Sequence, residues 1–406
     1  MTTARTISLG RVAIGQDKAE IWLAAAALLA LTVEPVIGAL GALAFLMAGL
    51  ALMAMRPAAT MSDLLRSWPI LVLPAVAVLS LAWSQAPSAS LRHGLQLLIT
   101  FAIAVVVARS LPPRTFLALL FAALGLIVLA SVTTGHYRSG TGALTGYYAS
   151  KNAMGGAAAM FAILAGGLAL ASARSLPTRF GYAMAAGLGL FAVVLAQSMS
   201  ALLSVTMGFC ALLAVAALRP LSPGARTVGA LICLLFVAYV SVWVAANIDA
   251  VAAYILDRTG KDVTLTGRTV LWDIALGFIA ERPLLGVGYQ AFWVPGNPPA
   301  EALWHAFGIE SRTGFHFHSV YLSNAVEIGL VGLAVQIALL AAIGFRTGRL
   351  ALSGHDGLSP VLFALSVMVL SITPIEVPVF FQFNLQTVSL IAILIYANDG
   401  LRARRA

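Results

Sequence analysis

Two histidines, His316 and His318, stand two residues apart just ahead of an apolar run. In an extended segment both rings face one way. Three chemistries fit such a pair. They could ligate zinc, although no Cys or third well-spaced His follows and there is no H-E-x-x-H. They could pack at the mouth of a membrane span. Or His318 could be a general base, because imidazole titrates near neutrality and a base works best with a pKa near the working pH. Arg138, Lys151 and Arg268 suit an anion, since the guanidinium fork matches phosphate oxygens two at a time. Arg138 lies in the Gly-rich stretch His136-Tyr137-Arg138-Ser139-Gly140-Thr141-Gly142. Lys151-Asn152 precedes Gly155-Gly156, where a helix or lipid headgroup could come close. Lys151 also reads as a snorkelling interface anchor. Glu327 lies inside an apolar run, and a carboxylate there faces a bundle interior. It reads first as the structural partner of an outside arginine and second as a group with a direct catalytic role.

The elements that must position these residues are membrane helices. Hydrophobic residues make up 61% of the 406, and charged residues 10%, against about 25% in a soluble domain. This excludes a soluble enzyme and a disordered chain. The apolar runs are continuous, so the expected fold is an all-α polytopic bundle and not a barrel. The runs fall near 20–33, 37–55, 68–83, 95–109, 114–133, 152–172, 179–197, 200–218, 226–247, 319–345, 358–373 and 381–398, which predicts about twelve spans. No cleavable signal peptide is evident before the first run. Cys210 and Cys233 lie in apolar runs and read as small packing residues, not a disulfide.

The net charge of +9 would suggest nucleic acid in a soluble chain. Here the positive-inside rule accounts for it, and no nucleic-acid partner is expected. With both termini cytoplasmic, sixteen of the 24 Lys and Arg fall inside. Each inside connection carries at least two, while the short outside loops near Glu34, Ser198 and Glu376 carry none. The outside cations are Arg92, Arg138, Lys151, Arg258, Lys261, Arg268, Arg282 and Arg312. Salt bridges within the long loop are the simple explanation for them, since Asp257, Asp262, Asp273, Glu281, Glu301 and Glu310 lie there.

The organisation expected is nine spans in 1–247, an extracytoplasmic loop in 248–318, and three spans with a cytoplasmic tail in 319–406. The loop is too long for a connector. Within it, residues 266–281 read as an amphipathic helix with Leu271, Ile274, Ala275 and Phe278 on one face. It is too short to span and should lie along the interface. Arg268 falls in its first turn, where a cation opposes the helix dipole, which favours a role in binding an anion. Pro283 stops the helix, and Gly286 and Gly288 allow a tight turn.

Five stretches then resemble the O-antigen ligase and polysaccharide polymerase superfamily. They are Lys151-Asn152-x-x-Gly155, Gly267-Arg268-x-x-x-Trp272, Arg282-Pro283-Leu284-Leu285-Gly286-x-Gly288, His318-Ser319-x-Tyr321-Leu322, and Glu327-x-Gly329-Leu330-x-Gly332. Trp83-Ser84-Gln85-Ala86-Pro87, ahead of Leu91-Arg92, is similar to the exopolysaccharide polymerase branch. The resemblance covers roughly 80–335. It implies an inverting glycosyltransferase at the outer face of the bacterial inner membrane, using a glycan on undecaprenyl pyrophosphate without metal or other cofactor. It also implies a glycan acceptor, membrane lipids and other polysaccharide assembly and export proteins as partners. The site residues it implies are His318, Arg268 and Arg138 for catalysis. Lys151, Asn152, Arg92, Arg282, Tyr321, Glu327 and His316 are implied for substrate binding. Many members have His-Asn where this chain has His318-Ser319. A ligase acting on lipid A core and a flippase for the same lipid are the alternatives to a polymerase. A flippase would be expected to show internal repeats, and none is clear.

Overall fold

The computed structural model describes residues 18–171, 175–247, 250–251, 253–254, 257, 266–354 and 356–404. The expected cations Arg5, Arg11, Arg174, Arg258, Lys261 and Arg405 lie outside the described residues. The chain is an all-α polytopic membrane protein. Fifteen α-helices and one two-stranded ribbon make up its regular structure among the described residues, apart from a single 3-10 turn. A helix lies over each of the twelve apolar runs, although residues 381–384 of the last form a loop ahead of its helix. Eight helices are long and apolar enough to cross a membrane, and the bent pair α2–α3 raises this to nine.

The helices are α1 (Lys18–Ile37), α2 (Ala39–Met55), α3 (Pro57–Arg66), α4 (Trp68–Leu79), α5 (Pro87–Ser110), α6 (Pro113–Thr134), α7 (Lys151–Leu170), α8 (Leu176–Ala196), α9 (Met199–Leu218) and α10 (Pro223–Ala246). They continue with α11 (Thr266–Glu281), α12 (Pro298–Ala306), α13 (Val320–Ser353), α14 (Ser359–Ile372) and α15 (Leu385–Arg402). Strands β1 (His136–Tyr137) and β2 (Leu144–Gly146) pair antiparallel between α6 and α7. Proline stands in the first turn of α3, α4, α5, α6, α8, α10, α12 and α14. Its missing N–H has no helical partner there in any case.

Helix α7 is the hub, buried along almost its whole length against α6, α8, α9 and α14. Its small residues make this possible: a Cβ on Gly155 would meet that of Ala201 on α9 at 2.7 Å. Helix α10 lies at the other extreme, with no buried residue among those described, and stands beside α9. Cys210 and Cys233 are free and exposed on α9 and α10. They face outward and do not pack, because the inward positions of α9 are taken by Ser204, Val205, Gly208, Ala211 and Leu212.

A second, smaller core lies at one end of the bundle. Leu271 and Ala275 of α11, Leu303 and Trp304 of α12, and Val287, Phe292, Phe317 and Val326 form it. The helix expected over 266–281 is present with those bounds, and its Leu271 and Ala275 face this core.

Three of the sequence motifs turn out to be one joint. Helix α13 breaks at Gly329, whose φ is 66° and ψ −173°. The loop after α11 fills the break. Leu330 N donates to Pro283 O at 2.8 Å, and Val287 N and Gly288 N donate to Val326 O and Glu327 O at 2.9 and 2.7 Å. A Cβ on Gly329 would lie 2.1 Å from Leu284 O. From the other side Trp83 Nε1 donates to Leu285 O at 2.8 Å and Gln85 N to Val287 O at 2.9 Å. The 282–288 segment is thus bonded to the 326–330 backbone on one side and to Trp83 and Gln85 on the other, which fixes the start of α13 against the bundle.

Candidate active site

Three helix N-termini meet at one carboxylate. Ser150 caps α7 by accepting Ala153 N at 3.2 Å, which puts Lys151 and Asn152 in the first turn. Arg268 is in the first turn of α11. Ser319 caps α13 by accepting Leu322 N at 3.4 Å, directly after His318. Serine here performs the capping that asparagine also performs well, so the family difference at this position leaves the helix start intact. Each N-terminus presents partial positive charge.

The carboxylate is Glu376, on the loop between α14 and α15. Arg268 Nη2 donates to Glu376 Oε1 at 2.7 Å, and Nη1 to Ile375 O at 2.8 Å. Asn152 Nδ2 donates to the same Oε1 at 2.9 Å, and its Oδ1 accepts from Ser198 Oγ at 2.9 Å. His318 Nδ1 lies 3.5 Å from Glu376 Oε2, an ion-pair separation longer than a good hydrogen bond. Burial alone would raise the Glu376 carboxyl, but His318 and Arg268 outweigh it and hold it below the usual range.

The His316-Phe317-His318 segment is irregular, with both rings on one side, their centroids 4.4 Å apart. His318 has φ 51°, and its N–H donates to His316 Nδ1 at 3.1 Å. Phe317 between them points the other way, into the aromatic cluster with Phe292 and Trp293. Trp272 Nε1 donates to Phe317 O at 2.9 Å and ties the segment to α11. Burial, then the neighbouring His318, push the His316 imidazole down to about 4, so it is neutral at pH 7. His316, His318 and Glu376 each offer a ligand atom, all within 4.8 Å of one another. This supplies the third metal ligand that sequence spacing lacked. Arg268 already places a cation on that carboxylate, however, which works against a metal there.

The other expected residues fall around this centre. Lys151 Nζ donates to Gln197 O at 3.3 Å, and Gln197 Nε2 donates to Thr141 O at 3.3 Å. That link reaches the ribbon bearing Arg138, which is exposed. Tyr321 Oη is 3.0 Å from Thr373 Oγ1 and holds α13 to the end of α14. Arg92 is exposed, its Nη2 2.9 Å from His93 Nε2. Arg282 is exposed at the end of α11. Arg312 pairs with Glu301 at 3.0 Å, a loop salt bridge of the simple kind. Glu327 is buried, and its Oε2 accepts the Gln290 N–H at 2.9 Å. Its partner is thus a backbone amide, because the nearby arginine of the joint, Arg282, is exposed and Arg268 is held by Glu376. Beside the histidines lies a cavity of about 410 Å³, lined among others by His93, His316, Glu327, Trp293, Trp304 and Gln382.

Sequence reasoning did not single out Glu376, Gln382 or His93. The signal for Glu376 was present: it is the one acidic residue in Thr373-Pro374-Ile375-Glu376-Val377-Pro378, a loop between apolar runs. Its partner Arg268 is 108 residues away in the chain, so only folding joins them.

Residues 184–337 match the O-antigen ligase family. This stretch carries Arg268, His316, His318 and Glu327. Over 347 residues the chain is 33% identical to the exopolysaccharide production protein ExoQ of Rhizobium meliloti (strain 1021), covering 81% of this chain and 76% of that protein. The chain belongs to the O-antigen ligase family. It is a membrane-embedded polysaccharide-assembly protein of that family, and the joint built from the 83–87, 282–288 and 327–332 motifs is the part of the resemblance that the fold explains most fully.

Proposed function

We propose that this protein is an inverting glycosyltransferase that polymerises undecaprenyl-pyrophosphate-linked repeat units into exopolysaccharide or O-antigen. The observation that carries the proposal is the Arg268–Glu376–His318 cluster at three converging helix N-termini. In this reading both chain termini are cytoplasmic, twelve spans cross the bacterial inner membrane, and the site faces the periplasm. The similarity to an exopolysaccharide production protein supports polymerisation. The O-antigen ligase match supports the neighbouring reading, transfer of a finished glycan to lipid A core.

The chemistry follows from the groups present. A sugar hydroxyl of the acceptor attacks the anomeric carbon of the donor from the face opposite the pyrophosphate. A new C–O bond forms, the bond to pyrophosphate breaks, and the lipid pyrophosphate leaves with the electron pair. His318 takes the hydroxyl proton. Glu376 Oε2 lies 3.5 Å from Nδ1, so its charge stabilises the imidazolium that forms, as a carboxylate does for a catalytic histidine. Arginine has five N–H donors, and Glu376 and Ile375 engage two nitrogens of Arg268. The remaining donors, with Lys151 and Arg138, meet the charge that grows on the leaving phosphate, which is electrostatic stabilisation without a resident metal.

The test is transfer by purified protein from a purified lipid-linked donor. His318→Ala should lose about 10²–10⁴-fold in rate, the usual cost of removing a general base. Arg138→Ala, at an exposed position, should stop transfer without loss of folded protein, and lysine should restore it only in part because it lacks the fork. His316→Ala should be milder, and chelator should leave the wild type active. Equal failure of both histidine variants together with chelator inhibition would instead support a metal centre.

A further inference from the structure

Four polar atoms on the lining of the 410 Å³ cavity are buried without a hydrogen-bond partner among the described residues: Trp293 Nε1, Trp304 Nε1, Ser323 Oγ and Gln382 Oε1. Trp304 and Ser323 are 2% and 8% exposed. Native proteins leave few buried polar atoms unmatched, so several on one cavity point to a ligand that matches them. The set contains two N–H donors, one carbonyl acceptor and one hydroxyl that can do either. The walls between them are aromatic. The Trp293 ring lies 6.0 Å from Trp304 and 5.1 Å from Phe315, centroid to centroid.

A pyranose fits this description. Its C–H faces are apolar and suit aromatic surface, while its rim of hydroxyls needs both donors and acceptors. A phosphate does not fit. Arg312 on the lining is engaged by Glu301, and the Glu327 carboxyl lines the same cavity. The volume lies within the range of about 300–1,000 Å³ typical of small-ligand pockets. His316 lines it too, and the His318 ring stands beside His316. The cationic groups Arg268, Lys151 and Arg138 are absent from its lining.

We propose that this cavity is the acceptor subsite, which binds the terminal sugar of the incoming glycan and presents its hydroxyl to His318. The assignment rests on the polymerase reading for the identity of that glycan. Gln382, Trp304 and Ser323 then set which sugar and which hydroxyl is accepted. His93 takes part by holding Gln382: its Nδ1 is 3.1 Å from Gln382 Nε2, which leaves Oε1 for the ligand. Donor pyrophosphate and acceptor sugar thus meet the two histidines from separate sides.

The probe is the repeat-unit oligosaccharide freed from its lipid by mild acid, used with the full-length protein in nanodiscs. Ligand-observed NMR should detect it on the wild type. Trp304→Phe keeps a ring and removes the N–H, and Gln382→Ala removes the acceptor. Each should weaken oligosaccharide binding about tenfold, the loss of roughly one hydrogen bond, and raise KM for the acceptor in proportion. KM for the lipid-linked donor should stay within about twofold, which also reports an intact fold. No binding to wild type, unchanged acceptor KM in both variants, or a rise confined to donor KM would each overturn the subsite. Oligosaccharide binding that both variants weaken, in a protein that transfers only to lipid A core, would keep the subsite and sink the polymerase reading.

Discussion

At the scale of single residues, the arrangement divides labour between two histidines that the chain places two apart. His318 faces the Glu376 carboxylate at 3.5 Å, and in the proposed reaction it takes the proton of the acceptor hydroxyl. His316 is half-buried and accepts a backbone N–H, and its imidazole is kept neutral. Its pKa gives a testable sign. The folded value, about 4, lies below the ordinary imidazole value of 6.5. The unfolded chain therefore binds the extra proton first, and stability should fall as pH drops from about 6.5 to about 4. His316→Gln removes this titration. Thermal melts of the two proteins should therefore diverge less at acid pH for the variant, with the wild type losing more of its melting temperature between pH 7 and pH 5. Identical pH dependence would show that His316 is not held neutral by the fold.

At the scale of elements, the start of α13 is set by backbone, and the glycines at 286, 288 and 329 lie on the two sides of that contact. Gly329 adopts a left-handed φ at the break, where a β-carbon would strike Leu284 O. Gly329→Ala should destabilise the protein by at least the roughly 1–3 kcal/mol of such backbone strain. The variant should be recovered in low yield or with a lowered melting point, since the clash is with backbone that cannot swing aside. A variant as stable as wild type would mean that the joint is looser than described. Much of this level was legible in the chain. The helices over the apolar runs, the helix at 266–281 and its stop at Pro283 follow from local pattern. The break at Gly329 was not legible, because a glycine inside an apolar run looks the same whether the helix continues or a distant loop is wedged into it. Glu376 was hidden for a related reason: its contacts are Arg268 and Asn152, from two helices, and His318, from the segment ahead of a third. The outside cations break the charge asymmetry of membrane loops, and Arg268 among them lies in the cluster. Arg282 and Arg92 broke it equally and lie exposed outside that cluster.

At the scale of the whole molecule, the helix bundle forms one side of the candidate site and the segment containing α11 and α12, with its own small core, forms the other. Sidedness is the first global test. A cysteine introduced at Gly296, on the loop ahead of α12, should react with an impermeant thiol reagent in intact spheroplasts. Labelling only after lysis would invert the topology. The central claim is that the protein joins repeat units while they remain on the lipid. It is tested most directly by removing the gene from its host and analysing the glycans left on undecaprenyl pyrophosphate. Polymerase loss predicts single repeat units on the lipid and no long chains. Full-length polymer stranded on undecaprenyl pyrophosphate would contradict the account and make the protein a ligase.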